Sequence, residues 1–421
     1  MRYILGIDIG TTAIKGAVIG EDGKIYGTKT SEYPLTTLPT GEVEADLQLY
    51  INAFTQSIKG AVEDAKVDGA DIKCVGFSST AETCVFLDKY NEPLCKVIAW
   101  MDTRATKEAE YLTAHFDKKD IINKVGFDGI YAIHPVSKIL AVKNKTPEIF
   151  EKTRMFAQIK DYFIYRLTGE YYTDHSTASD HGFFDITNRC YWNEMLEFTG
   201  IERRISSETC RTGNRAWNES AEKLHWKFGL NPETKINVGA FDQGCGAIGA
   251  GNTKPGIASE STGSALVTVA TIDALNPDSQ GDVPTLCSGI PGKYMYQPYC
   301  TGSIIMKWYR DIFCEAEKMV EEQTGLNAYT QMDEMVKATP AGADGLIMLP
   351  YFQGSGIPEL NEKAEGVYYG INAGHTRGHF IRAIMEGLAI ALKRMLECEE
   401  KLGATMTEIR SLGGGSKSKA W

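Results

Sequence analysis

The run Val238-Gly239-Ala240-Phe241-Asp242-Gln243-Gly244-Cys245-Gly246 constrains this chain more than any other segment. It reads as an apolar strand that delivers one carboxylate into a glycine-rich loop. Glycine there allows close backbone approach and unusual backbone angles. The chain opens on a similar arrangement, Gly6-Ile7-Asp8-Ile9-Gly10-Thr11-Thr12. Two strand-end carboxylates beside small residues and hydroxyls point to an active site between two related halves. One acid can orient a metal-bound phosphate, and the other can take a proton from an attacking hydroxyl. Either acid alone could instead be an ordinary turn Asp, a reading that the pair disfavours.

A chain of 421 residues is long enough for two or three domains with cores of their own. The formal charge of -11 disfavours nucleic-acid binding, which needs clustered positive charge. It also does nothing to attract an anion, so a phosphate-bearing ligand has to be held by backbone amides and a metal. The ten cysteines are scattered without a C-x-x-C pair. That suits buried thiols in a reducing compartment and not a zinc site. The early apolar run is broken by Asp8, so no signal peptide is expected. No stretch reaches the roughly 18 apolar residues of a membrane span. A cytoplasmic protein that touches neither membrane nor nucleic acid is expected.

The pattern predicts strands over 3–9, 13–19 and 24–30, with a turn at Glu21-Asp22-Gly23. Leu47, Ile51, Phe54, Ile58 and Val62 fall on one helical face after Asp46, a candidate cap. Val75 to Ser78 reads as a further strand, ending in Ser79, Thr80 and Glu82. Residues 100–235 look more helical. A domain change is placed near 240, giving domains 1–239 and 240–421. In the second, Glu260 to Ser264 reads as a polar turn feeding a strand over 265–270. Ile381, Ile384, Met385, Leu388, Leu392, Met395 and Leu396 form a core-facing helical stripe. A strand over 408–412 then leads into Gly413-Gly414-Gly415-Ser416. A glycine loop that should feed a helix has little after it, so a longer natural chain is expected.

Several motifs carry chemistry. Gly10, Thr11 and Thr12 offer backbone N–H and hydroxyl donors to phosphate, with Asp8 placed to hold Mg²⁺. Ser261-Thr262-Gly263-Ser264 could contact phosphates likewise. The Gly413–Ser416 loop, with Gly414, Gly415 and Ser416, suits a flat base lying on bare backbone. His375 and His379 are four apart, but no third metal ligand is evident. Asp102 and Arg104 read as a structural ion pair. Trp100 could be core, and Glu82 an exposed loop acid.

With these motifs the sequence resembles the FGGY carbohydrate kinase family of the sugar-kinase/actin-like ATPase superfamily, over essentially its whole length. The resemblance is carried by Gly6 to Thr12, Trp100-x-Asp102-x-Arg104, Lys160-Asp161-Tyr162 with Leu167 to Glu170, and Gly239 to Gln243. It is carried most specifically by Gly366 to Ile371 through His379-Phe380 to Glu386, and then by Leu412 to Ser416. It implies an α/β fold of two RNase-H-like domains with mixed sheets flanked by helices around a cleft. It also implies ATP-dependent phosphorylation of a sugar hydroxyl with Mg²⁺. Carried over by position, Asp242 is the general base and Asp8 the metal carboxylate. Glu82, Trp100, Asp242 and Gln243 bind the sugar. Gly10, Thr11, Thr12, Thr262, Gly263, Gly414, Gly415 and Ser416 bind ATP.

Four departures bear on the substrate. Ala81-Glu82 replaces the Arg-Glu of glycerol kinases. Ser79-Thr80-Ala81-Glu82 replaces the usual Gly-Gln-Met-His of xylulose kinases. Lys138-Ile139-Leu140-Ala141 and Gly354-Ser355-Gly356-Ile357-Pro358 depart from two further family elements. A ketopentose such as xylulose is the expected acceptor. Another ketose, a sugar acid, a polyol or a quorum signal stays open, as does a catalytically impaired sugar- or nucleotide-binding relative. A homodimer is the assembly left open.

Overall fold

The computed structural model describes residues 1–201, 208–210, 215–216, 229–231, 233–352, 354–356, 361 and 363–421. Ile357 and Pro358 of the altered loop lie outside the described residues. The chain forms two compact units. One is Met1–Cys245 with Leu286–Lys293, and the other is Gly246–Thr285 with Tyr294–Trp421.

The first unit is built on β1 (Tyr3–Ile9), β2 (Ala13–Gly20), β3 (Ile25–Glu32), β4 (Ile72–Ser79) and β5 (Lys235–Phe241). The sheet order is the short strand Arg215–Ala216, then β5, β4, β1, β2 and β3. β1 runs parallel to β4 with Asp8 opposite Ser78, and antiparallel to β2 with Asp8 opposite Lys15. Period-two alternation buries Leu5, Ile7 and Ile9 on one face. Helix α1 (Leu47–Ala65) covers that face with Leu47, Tyr50, Phe54, Ile58 and Ala61. Phe54 stacks on Phe163, with ring centroids 4.1 Å apart. Ile51 and Val62 are only half-buried, because the stripe is centred one residue away from them. Asp46 stands at the N-cap position but makes no side-chain cap bond.

A second, antiparallel sheet links Val43–Ala45, Val97–Ile98, Cys84–Leu87 and Met155–Gln158. Its Cys84–Ile98 pairing sets Glu82 and Trp100, just outside the ladder, at the same end. Helices α2 (Pro135–Lys145), α3 (Ile159–Thr168) and α4 (His175–Ala178) pack in the same unit. Gly239 sits where β5 slips register against β4, with φ of +73°. A Cβ there would lie 1.8 Å from the Phe77 carbonyl oxygen, so only glycine fits this bulge. The segment after Phe241 is a helix, α5 (Asp242–Gly249), and not the loop its glycines suggest. Tertiary packing overrides the poor helix propensity of glycine here.

The second unit pairs β6 (Gly256–Thr262) antiparallel with β7 (Ala265–Ile272) and parallel with β8 (Met406–Gly413). Glu260, Ser261 and Thr262 are therefore strand residues, and the turn is confined to Gly263-Ser264. The polar side chains hid a strand whose inward positions, Glu260 and Thr262, bond to each other. Helix α6 (Arg377–Lys401) opens with a reciprocal cap between Thr376 and His379. It buries Ile381, Ile384, Met385 and Leu388 against Ile305, Tyr309, Met332 and Met348. Among the described residues no helix is long and apolar enough to cross a membrane.

Candidate active site

β1 ends at a turn closed by the Gly10 N–H on the Ala13 carbonyl, 3.0 Å. Just before it, Asp8 Oδ1 accepts from Ser78 Oγ at 2.9 Å and Oδ2 from Lys15 Nζ at 3.1 Å. The Thr11 hydroxyl accepts from the Trp100 indole N–H at 2.9 Å, which ties the Trp to the turn. Trp100 is half-buried and Thr12 is exposed on the same turn.

Glu82 is 8 % exposed, so it is not an exposed loop acid. Its φ of +57° is unusual for a residue with a Cβ, and such conformations collect at functional sites. Lys138 holds it there. That ammonium is fully buried and donates to the carbonyls of Glu82, Ala99 and Trp100 at 2.7, 2.9 and 3.0 Å. One side chain thus fixes the backbones of both Glu82 and Trp100. Burial raises the Glu82 carboxyl, Lys138 pulls it down, and Asp242 pushes it up again.

Asp242 follows the Gly239 bulge at the first position of α5. Its Oδ1 is out of contact with solvent and has no hydrogen-bond partner, although the residue as a whole is half-buried. Burial first, then the charge of Asp8, raises its pKa to about 7, while the Gln243 amides and Lys15 favour the ionised form. Gln243 is half-buried beside it. In this unit the structure therefore brings together Asp8, Thr11, Trp100, Glu82 and Asp242 with Gln243.

The second unit gathers the other expected group. Thr262 pairs with Gly413 across the β6–β8 ladder, and its hydroxyl donates to Glu260 Oε2 at 2.6 Å. Gly263 accepts from the Ser303 N–H and hydroxyl at 2.9 and 2.6 Å. A Cβ on Gly415 would meet Thr262 Cβ at 2.7 Å, so the Gly414–Ser416 segment lies directly on this turn. Gly413 has φ of +81°, and Ser416 Oγ donates to its carbonyl at 2.8 Å.

Asp102 and Arg104 are the structural pair they were expected to be. The guanidinium holds the fully buried Asp102 by bonds of 2.7 to 3.0 Å and reaches Glu44 at 3.0 Å. His379 Nε2 meets Asp344 at 3.0 Å, while its Nδ1 serves the helix cap at Thr376. Among the described residues no trio of His, Cys, Asp or Glu could cage a metal. The donors at Asp8 are oxygens of a partly exposed carboxylate. One or two carboxylates plus phosphate oxygens is how Mg²⁺ is commonly held, so these residues fit that ion.

Sequence reading missed the roles of Lys15, Lys138 and Asp180. Lys138 left one signal: it is the lone cation in the apolar run Val136–Val142. Asp180 is 3 % exposed, with Oδ2 unpartnered, and is pushed well up by burial, Glu82 and Asp242.

Two α/β units, one with a strand-end acid pair and one with a glycine/hydroxyl turn, define a phosphotransferase architecture of the actin-like ATPase kind. Models of the FGGY family of carbohydrate kinases match its N-terminal domain to residues 3–249 and its C-terminal domain to residues 277–421. The chain belongs to that family, and it is a carbohydrate kinase that uses ATP. It is 29 % identical to a xylulose kinase of Bacillus subtilis, over 100 % of this chain and 82 % of the relative. It is 27 % identical to a gluconokinase of the same organism, over 100 % and 81 %. The crystal structure of a ligand-bound xylulose kinase from Lactobacillus acidophilus superposes with a TM-score of 0.86 at 25 % identity, covering 100 % of this chain and 82 % of that one.

Proposed function

We propose that this kinase transfers the γ-phosphoryl group of ATP to a hydroxyl of a neutral ketopentose such as xylulose, with Asp242 as the general base. The observation that carries the reading is the Asp242 carboxylate. It is delivered by a glycine-only bulge, its Oδ1 is buried without a partner, and its pKa of about 7 suits proton transfer near neutrality. A substrate hydroxyl bound there would give its proton to Oδ1 as its oxygen attacks phosphorus. Gln243, Glu82 and the Trp100 face orient the sugar. Gly10, Thr11 and Thr12 receive phosphate on one unit, as do Thr262 and Gly263 on the other, while Gly414, Gly415 and Ser416 support the base. Asp8 would hold Mg²⁺, which when bound neutralises charge on the phosphates.

The xylulose kinase relatives support the choice of acceptor, and the gluconokinase relatives favour a second reading, a sugar acid. Buried thiols such as Cys84, Cys287 and Cys314 suit a reducing cytoplasm. The test is a panel of ketoses, polyols and aldonic acids with ATP and Mg²⁺, read as ADP release. Xylulose-dependent ADP release is expected. ATPase activity that no sugar stimulates would contradict the proposal.

A further inference from the structure

We infer that Tyr33 is the positioning residue of the phosphate turn Gly10–Thr12: it grips the turn by the carbonyls at both ends and so aims the Thr11 N–H at the phosphates of the nucleotide. The inference rests on the proposed role of that turn and deepens it.

Tyr33 directly follows β3 and is 4 % exposed. Its ring packs on Tyr50 of α1, with centroids 4.3 Å apart, inside the core that α1 closes over the sheet. That ring alone would be ordinary core. What sets the residue apart is where its polar groups go. The Tyr33 N–H donates to the Thr12 carbonyl at 2.9 Å, and the Tyr33 hydroxyl donates to the Gly10 carbonyl. One residue thus holds both ends of the turn. The rest of the turn is tied as well. The Ile9 carbonyl accepts from the Thr80 N–H at 2.9 Å, the Gly10 N–H closes on Ala13, and the Thr11 hydroxyl accepts from Trp100. Burial above all pushes the Tyr33 phenol up, and Tyr50 and Asp8 act the same way, so the phenol keeps the proton that it donates.

The peptide between Gly10 and Thr11 is planar and trans, so the Gly10 carbonyl and the Thr11 N–H point in opposite directions. A carbonyl held inward by a buried hydroxyl turns that N–H outward. Thr11 is half-buried and Thr12 exposed, and among the described residues neither of their N–H groups donates to a hydrogen bond within the chain. Turns that present such N–H groups bind anions. Without the Tyr33 hydroxyl the Gly10 carbonyl loses its donor, the peptide plane can rotate, and the Thr11 N–H falls out of line. The sugar side does not depend on this grip, because the Lys138 ammonium anchors Trp100 separately by its carbonyl at 3.0 Å.

The test measures direct binding of ATP with Mg²⁺ and of adenosine, together with the xylulose KM, for the wild type, Tyr33→Phe and Thr12→Val. Tyr33→Phe keeps the ring and removes only the donor. It is expected to weaken ATP binding about five- to tenfold and to leave adenosine affinity and the xylulose KM within about twofold. Thr12→Val, which removes a hydroxyl of the turn itself, should weaken ATP binding in the same selective way. A folded Tyr33→Phe that binds ATP normally while Thr12→Val does not would overturn the inference and leave the turn its phosphate role. Normal ATP binding by both variants would overturn the inference and that role together. Equal losses for ATP and adenosine in Tyr33→Phe would reduce Tyr33 to packing and overturn the inference as well. If Tyr33→Phe does not fold, amide hydrogen exchange in the wild type decides. Exchange at Thr11 should slow by about tenfold or more with ATP and stay unchanged with adenosine. The same Thr11 exchange with both ligands would overturn the inference.

Discussion

Asp242 owes its affinity for a proton to two causes that act together, burial and the charge of Asp8, with Lys15 and the Gln243 amides opposing them. Its raised pKa has a kinetic consequence. A base works only when ionised, so kcat/KM for the sugar should fall as the pH drops through about 7 and level off above it. Removing the Lys15 cation in Lys15→Met should move that limb to higher pH, because Lys15 favours the ionised form. A limb that stays in place would remove Lys15 from the site's electrostatics. Glu82 is the second residue to test. If its carboxylate binds sugar, Glu82→Ala should raise the sugar KM far more than the ATP KM, by about 1–3 kcal/mol of lost binding. Equal changes in both constants would assign it a packing role. Both acids could be found in the sequence because each follows shortly after an apolar strand. The burial and left-handed backbone of Glu82 could not, because the group enforcing them, Lys138, is 56 residues away in sequence.

At the scale of elements, the strands around Asp8 and the long helix α6 were legible, because strict alternation and a 3.6-residue stripe survive in the residue order. Two readings failed for one physical reason. Glu260 to Thr262 looked like a turn, and Asp242 to Gly246 like a loop, because local composition was read where tertiary partners decide. Helix α6 also buries an acid that the stripe does not announce. Glu399 is fully buried, accepts from Thr268 Oγ1 at 3.0 Å, and leaves Oε2 without a partner. Burial raises its pKa to about 8 from 4.5. Between those values the native state keeps a proton that the unfolded chain gives up, so stability falls as the pH rises. Glu399→Gln removes that slope. Its thermal midpoint should exceed that of the wild type at pH 8, by about 1–3 kcal/mol of stability, with the gain fading towards pH 5. A gain independent of pH would mean that Glu399 is not protonated in the native state.

Across the whole chain, the motifs that name the family are short runs, many at strand ends, and they are scattered from Gly6 to Ser416. Each alone is an ordinary turn. Their order over residues 3–421 made the class readable, and family models matching 3–249 and 277–421 agree with it. Acceptor choice was much less readable. It depends on what surrounds Asp242, and Lys138 fixes the backbone of Glu82 through long-range packing with no spacing rule to mark it. The central claim is that Asp242 removes the proton from the sugar hydroxyl. Sugar-dependent ADP release by Asp242→Asn, measured beside ATP affinity by direct binding, tests it most directly. The account predicts a kcat lowered by about 10²–10⁴ with ATP affinity changed by no more than about twofold. A folded Asp242→Asn variant with near-normal kcat would contradict it.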